Sequence, residues 1–204
     1  KVIWAQNTAG IQVDDRFYDG NGIKKDFSNY VKTTYQLNSK LSLYGDIQLR
    51  NVNYKTSGST SDIANFLINK KYNFFNPKGG FNYLFNNYNN VYFSFARSNR
   101  EPTRSDYESN PNIRSEQLND FEFGWSLTKK KFNITTNFYM MQYKDQLVLT
   151  GSIDDVGTPV RENSGESYRT GLEVETVFNL SDKISILANS AFSDNKNKNF
   201  VTSL

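Results

Sequence analysis

Arg100-Glu101-Pro102-Thr103-Arg104 sets two guanidiniums where a strand-like segment gives way to a polar stretch, and such forks bind anions through paired hydrogen bonds. Pro102 stops ladder pairing there. With Tyr107 in the same polar stretch and Arg161 in a later one, Arg100 and Arg104 are the candidate ligand-binding residues. The simpler alternative is a rim in which Arg100 and Arg104 pair with Glu101, Asp106 or Glu108. Asp14-Asp15-Arg16-Phe17-Tyr18-Asp19-Gly20-Asn21-Gly22 also offers oxygen ligands around a turn, but it lacks the regular spacing and closing Glu of a calcium loop. A solvated loop is the plainer reading, and neither a metal nor a cofactor is expected.

Lys32, Asp46, Arg50, Glu122, Glu173 and Glu175 fall on one polar strand face, yet no two carboxylates stand out as an acid and base. Cys and His are both absent, which removes thiol nucleophiles, imidazole catalysis, disulfides and nearly every zinc site. No phosphate-binding glycine loop or G-x-S-x-G elbow appears. The residue inventory points away from an enzyme. Twenty-four Lys and Arg against 21 Asp and Glu leave no strong field, so nucleic acid is not an expected partner either.

The elements that hold these residues show period-two alternation. Leu41, Leu43, Ile47 and Leu49 oppose Ser42, Tyr44, Asp46, Gln48 and Arg50; Phe121, Phe123, Trp125 and Leu127 oppose Asp120, Glu122, Gly124 and Ser126. The same holds for Phe132, Ile134, Phe138 and Met140, for Leu172, Val174 and Phe178, and for Ile184, Ile186, Ala188 and Phe192. Strands are expected near 26–37, 41–55, 76–86, 91–101, 115–128, 132–149, 166–179 and 183–196, with residues 1–6 ending an earlier one. Most reach the roughly ten residues that a tilted strand needs to cross an apolar band of about 25 Å. Globular strands usually have about five or six. Aromatic residues make up 15% of a chain with mean hydropathy −0.68, a pairing that fits strands whose alternate residues face lipid.

Tight turns at Asn38-Ser39-Lys40, Asn87-Tyr88-Asn89-Asn90, Lys129-Lys130-Lys131 and Leu180-Ser181-Asp182 separate strand pairs. Long polar stretches at 7–25, 56–75, 102–114 and 150–165 separate the pairs from one another. Every tight turn therefore falls at one end and every long loop at the other, the asymmetry of a transmembrane barrel. Tyr30, Tyr35, Tyr54, Tyr83, Tyr139, Tyr143 and Tyr168 suit an interfacial girdle or packing roles.

Several phrases resemble the β-barrel domain of TonB-dependent outer-membrane receptors. Asn76-Pro77-Lys78-Gly79-Gly80-Phe81-Asn82-Tyr83 is similar to that family's strand start, and Val91-Tyr92-Phe93-Ser94-Phe95-Ala96 to the strand after its turn. Ser98-Asn99-Arg100-Glu101-Pro102-Thr103 resembles the exit into an extracellular loop, and Ser115 through Gly124 the return from it. Phe138 through Leu147 and Tyr168-Arg169-Thr170-Gly171-Leu172-Glu173 continue the resemblance. It implies a twenty-two-stranded, plugged barrel in the outer membrane of a Gram-negative cell, importing a ferric siderophore, cobalamin or glycan with energy from the TonB complex. The expected fold is all-β: an antiparallel up-and-down meander of about eight or nine long strands forming part of a transmembrane β-barrel.

Over residues 1–204 no plug domain is recognisable, and Val201-Thr202-Ser203-Leu204 lacks the terminal aromatic usual for such barrels. The expectation is a partial barrel domain that cannot transport alone, associating with outer-membrane lipid, plug, TonB complex and small-molecule or glycan ligand, and self-associating through exposed strand edges when isolated. Two alternatives stay open: a carbohydrate-binding β-sandwich, and a complete eight-stranded outer-membrane barrel.

Overall fold

A computed structural model describes residues 19–59, 65–153, 157 and 159–198. Among the described residues, alternating side chains build ten strands: β1 (Asp19–Gln36), β2 (Leu41–Ser59), β3 (Asn65–Asn86), β4 (Asn89–Arg100), β5 (Glu116–Lys129), β6 (Phe132–Lys144), β7 (Leu147–Ile153), β8 (Pro159–Asn163), β9 (Glu166–Ser181) and β10 (Ile184–Asn197). Eight of them form one antiparallel sheet in the order β1-β2-β3-β4-β5-β6-β9-β10, and β7 with β8 makes a separate hairpin. One short helix, α1 (Arg104–Ser109), follows β4.

The register assigns the faces. Leu43 stands opposite Phe81, Phe81 opposite Phe93, Phe93 opposite Phe123, Phe123 opposite Phe138, Phe138 opposite Leu172 and Leu172 opposite Phe192. One unbroken apolar row thus crosses seven strands on a single face. Ile47, Leu49, Phe75, Phe123, Phe138, Leu172 and Phe192 are all exposed there. On β2 the apolar run spans Leu41 to Leu49, roughly 20 Å at about 2.5 Å of axial rise per residue, near the height of a barrel's lipid-facing band.

The opposite face is polar and finely fitted. Tyr44 lies across Gly80, Tyr92 across Gly124 and Tyr139 across Gly171, each pair directly in register on adjacent strands. A Cβ on Gly124 would fall 2.5 Å from Tyr92 Cζ, and one on Gly171 would fall 2.5 Å from the Tyr139 hydroxyl. Glycine is needed because an aromatic ring occupies the space above it. The Tyr92 hydroxyl then donates to Asn137 Oδ1 at 2.9 Å.

Five expectations change. The stretch 56–75 is no twenty-residue loop, since β2 runs to Ser59 and β3 starts at Asn65, so this hairpin stands well beyond the apolar band. Likewise β1 already begins at Asp19, inside the stretch 7–25. The strand expected over 132–149 breaks at Asp145, whose φ of 55° turns the chain away, and resumes as β7. The loop at 102–114 carries α1, and that at 150–165 holds the far part of the β7–β8 hairpin.

The sheet order has β1 and β10 at its two ends, without register between them, so the complete eight-stranded barrel is not formed. No second large sheet covers the first among the described residues, which overturns the sandwich. The sorting of connections holds: described tight turns join β1 to β2, β3 to β4, β5 to β6 and β9 to β10 at one end. Residues 1–6, Asp14–Tyr18 of the calcium-like stretch and Val201–Leu204 lie outside the described residues.

Of the seven tyrosines, Tyr35, Tyr83 and Tyr168 share the apolar side, whereas Tyr30, Tyr54, Tyr139 and Tyr143 lie on the polar one. Tyr54 packs against Tyr107 and Tyr139 over Gly171 on the inner face, away from an outer girdle, while Tyr30 stays exposed there.

Candidate ligand-binding rim

Pro77 shapes the loop end of the wall. The ladder between β3 and β4 ends at Lys78–Ala96, although β3 stays paired with β2 as far as Asn65 and β4 with β5 as far as Arg100. Proline has no N–H to donate toward β4, so the two strands part above it. Side-chain amides bridge the gap in place of the backbone. Gln117 donates to Asn99 (3.2 Å), Asn99 to Asn76 (2.7 Å), Asn76 to Gln48 (2.9 Å) and Gln48 to Ser28 (3.0 Å), one hydrogen-bonded chain from β5 to β1. Beyond it lies a cleft of about 370 Å³ lined by Lys70, Tyr72, Asn99, Arg114, Gln117 and Lys144 among others.

The β4–β5 connection folds back over the inner face of this upper wall. Thr103 caps α1 with a reciprocal box: its hydroxyl accepts from the Asp106 N–H, and the Asp106 carboxylate accepts from the Thr103 N–H at 2.7 Å. That geometry drives Tyr107 inward, where it is 1% exposed within a cluster with Ile68, Ile113 and Leu147. Its ring stacks on Tyr54 with centroids 6.1 Å apart, and its hydroxyl shares a hydrogen bond with that of Tyr72.

Beside the helix, Glu101 collects charge from two distant strands. It accepts from Lys24 Nζ at 2.6 Å and from Arg50 at 2.7 and 2.8 Å, while Arg50 also pairs with Asp26 at 2.6 Å. Burial alone would push the Glu101 carboxyl upward, but the hydrogen bonds from Arg50 and Lys24 outweigh it and hold the group down at about 2. These partners come from β1 and β2, whereas α1 leaves β4, so the ion pairs tie the folded-back loop across the intervening β3.

The four candidate residues all fall on this rim. Arg104 pairs with Glu108 at 2.8 Å and stacks over Phe66 at 5.2 Å. Its guanidinium lies against Gly20, where a Cβ would sit 2.6 Å from Nη1. Arg161 of β8 reaches Asp106 at 3.5 Å and so clips the hairpin to the helix. Arg100 pairs with Glu116 at 3.0 Å and stays 56% exposed. Tyr107 is turned away from solvent into the wall.

Arg104, Tyr107 and Arg161 therefore meet around α1, and Arg100 stands apart at the head of β4. The salt-bridged rim forms with one expected pair, Arg104 with Glu108, and otherwise altered partners: Arg100 takes Glu116, Glu101 takes Arg50 and Lys24, and Asp106 takes Arg161. The Glu101 network and the amide chain were not recognised in the sequence. Pro77 inside a long apolar-alternating strand was the available signal that a ladder must end there.

The hairpin is seated by Asn163, whose side chain accepts from the Arg114 N–H at 2.8 Å and donates to the carbonyls of Arg114 (2.9 Å) and Asp145 (2.8 Å). Arg114 also reaches the Asp145 carboxylate at 2.6 Å, and that bond raises the guanidinium's pKa further.

An open wall with one apolar face, one polar face and a folded rim at its long-loop end defines a segment of a large β-barrel. The chain matches the family model described as "TonB dependent receptor-like, beta-barrel" over residues 4–203, and it belongs to that family. Similar solved structures include a copper transporter, OprC (TM-score 0.74, 13% identity, covering 86% of this chain and 30% of that one). The ferric-catecholate import receptor Fiu from K12 E. coli gives a TM-score of 0.64 at 18% identity, covering 88% of this chain and 29% of that one. The siderophore receptor PiuA from Acinetobacter baumannii gives 0.67 at 18% identity, with 88% and 26% covered. The chain thus spans under a third of the length of these relatives. No curated protein matches it.

Proposed function

We propose that this chain is part of the wall of an outer-membrane TonB-dependent receptor that imports a scarce nutrient such as a ferric siderophore, a cobalamin or a glycan. The observation that carries this reading is the unbroken outward apolar row, from Leu43 to Phe192, on a sheet whose other face is polar. The family match supports it, as do similar folds in proteins named for copper, ferric-catecholate and siderophore transport. In this reading residues 1–204 are one partial barrel domain. The remaining wall pairs with the edges at β1 and β10, a plug domain fills the lumen, and the TonB complex supplies energy. An open sheet encloses no lumen, so the chain alone does not transport, and isolated copies associate through those same edges. The rim supplies ligand contacts through Arg100, Arg104 and Arg161, with Tyr107 fixing the helix beneath them.

Uptake of radiolabelled ferric siderophores, cobalamin and oligosaccharides by cells carrying the complete receptor tests this directly. One of these classes should accumulate, and accumulation should stop when TonB is deleted. Binding without TonB-dependent accumulation of any of them would overturn the proposal.

A further inference from the structure

Above the apolar band, the outward face of the first three strands changes character abruptly. The last large apolar side chains of the band there are Phe27, Leu49 and Phe75. In the next rows Lys25 stands opposite Asn53 and Asn53 opposite Lys71, while Lys55 stands opposite Asn69. Asn51 and Asn73 continue the row that Phe27 begins, one step above Leu49 and Phe75, and bond to each other at 2.7 Å. Lys25, Lys55 and Lys71 all lie exposed. The opposite face carries Val52, Thr56, Ile68 and Phe74, buried beneath the rim. The three lysines therefore point away from the barrel interior.

Outward positions 21 to 27, 51 to 57 and 67 to 73 hold no carboxylate. Lys24, on the inner face, pairs with Glu101, whereas none of the three outward lysines makes an ion pair among the described residues. Strands two apart lie roughly 10 Å from each other, so Lys25 and Lys71 span one headgroup and Lys55 caps it diagonally. Ile23 and Leu67 stand among them as isolated exposed apolar side chains.

Resting on the membrane reading above, we propose that Lys25, Lys55 and Lys71, framed by Asn51, Asn53, Asn69 and Asn73, form a binding site for the phosphates of an anionic lipid of the outer leaflet. Position and charge favour a lipid over a free anion. The patch starts within one row of the lipid-facing band, so a lipid whose chains pack on Phe27, Leu49 and Phe75 delivers its phosphates to the lysines. The flanking amides donate hydrogen bonds to the same oxygens. Cationic side chains at a membrane surface attract anionic headgroups in this way, with an effect that salt weakens.

The test uses the complete receptor carrying this chain, in phosphatidylcholine nanodiscs doped with either bisphosphorylated or dephosphorylated lipid A, with retained lipid counted by native mass spectrometry. Wild-type receptor should retain the bisphosphorylated form several-fold better, and the triple variant K25Q/K55Q/K71Q should lose that preference. Inorganic phosphate at matching concentration should not displace the lipid. Equal retention by the triple variant, or displacement by inorganic phosphate, overturns the site. Protease protection of the same samples keeps the two claims apart: a receptor that fails to insert counts against the membrane reading, and one that inserts without the preference counts against the lipid site alone.

Discussion

Glu101 organises the rim because it is the carboxylate on which Arg50 and Lys24 converge, and its side chain is only 11% exposed. Its carboxyl lies at about 2 against an ordinary 4.5, so its contribution is complete above pH 4.5 and is lost as pH falls through 2. Pepsin, active in that acidic range, should cut the 102–114 loop increasingly fast between pH 4.5 and 2. Glu101→Gln should flatten that rise, and a flat wild-type profile would count against the anchor. On the inner wall, Gly124→Ala must displace the Tyr92 ring and disturb its bond to Asn137. Overpacking of this kind costs about 1 to 3 kcal/mol, which should lower the receptor's thermal unfolding midpoint. An unchanged midpoint would mean that the ring moves aside freely. Neither residue advertised its role in the sequence: Arg50 lies far from Glu101 along the chain, and long-range pairing of charges leaves no local pattern.

At the scale of elements, alternation and tight turns made the strands legible, and their turn-side ends fall within two residues of where they were expected. The upper part of β3 did not, because Asn69, Lys71 and Asn73 replace the apolar outer set once the wall leaves the band. A half-apolar signal disappears there while the ladder continues. Helix α1 is six residues long, too short for helical periodicity, so the reciprocal Thr103–Asp106 box was its one sequence mark. Its stability comes from Tyr107. Tyr107→Ala should cost the local unit about 3 kcal/mol, by analogy with other large aromatic truncations in packed cores. Limited trypsin digestion at Arg104 and Arg114 should accelerate while cleavage within the band stays unchanged. Equal protection of wild type and variant would show that the helix is held by its ion pairs instead.

For the whole molecule, strand length, loop sorting and the family resemblance were all readable from the chain, because each follows from repeating patterns rather than single contacts. Closure was not readable, since eight strands suffice for a small barrel and only the pairing of the end strands decides it. The central claim is that the sheet has one lipid face and one water face across the band from Leu41 to Leu49. This chain holds no cysteine, so single cysteines at 43, 44, 46, 47, 48 and 49 each give one labelling site within it, with any cysteine elsewhere in the complete receptor replaced by serine. In lipid bilayers, labels at 43, 47 and 49 should be accessible to oxygen and shielded from a water-soluble nickel relaxant, and those at 44, 46 and 48 the reverse. Equal nickel accessibility on both faces would contradict a transmembrane wall.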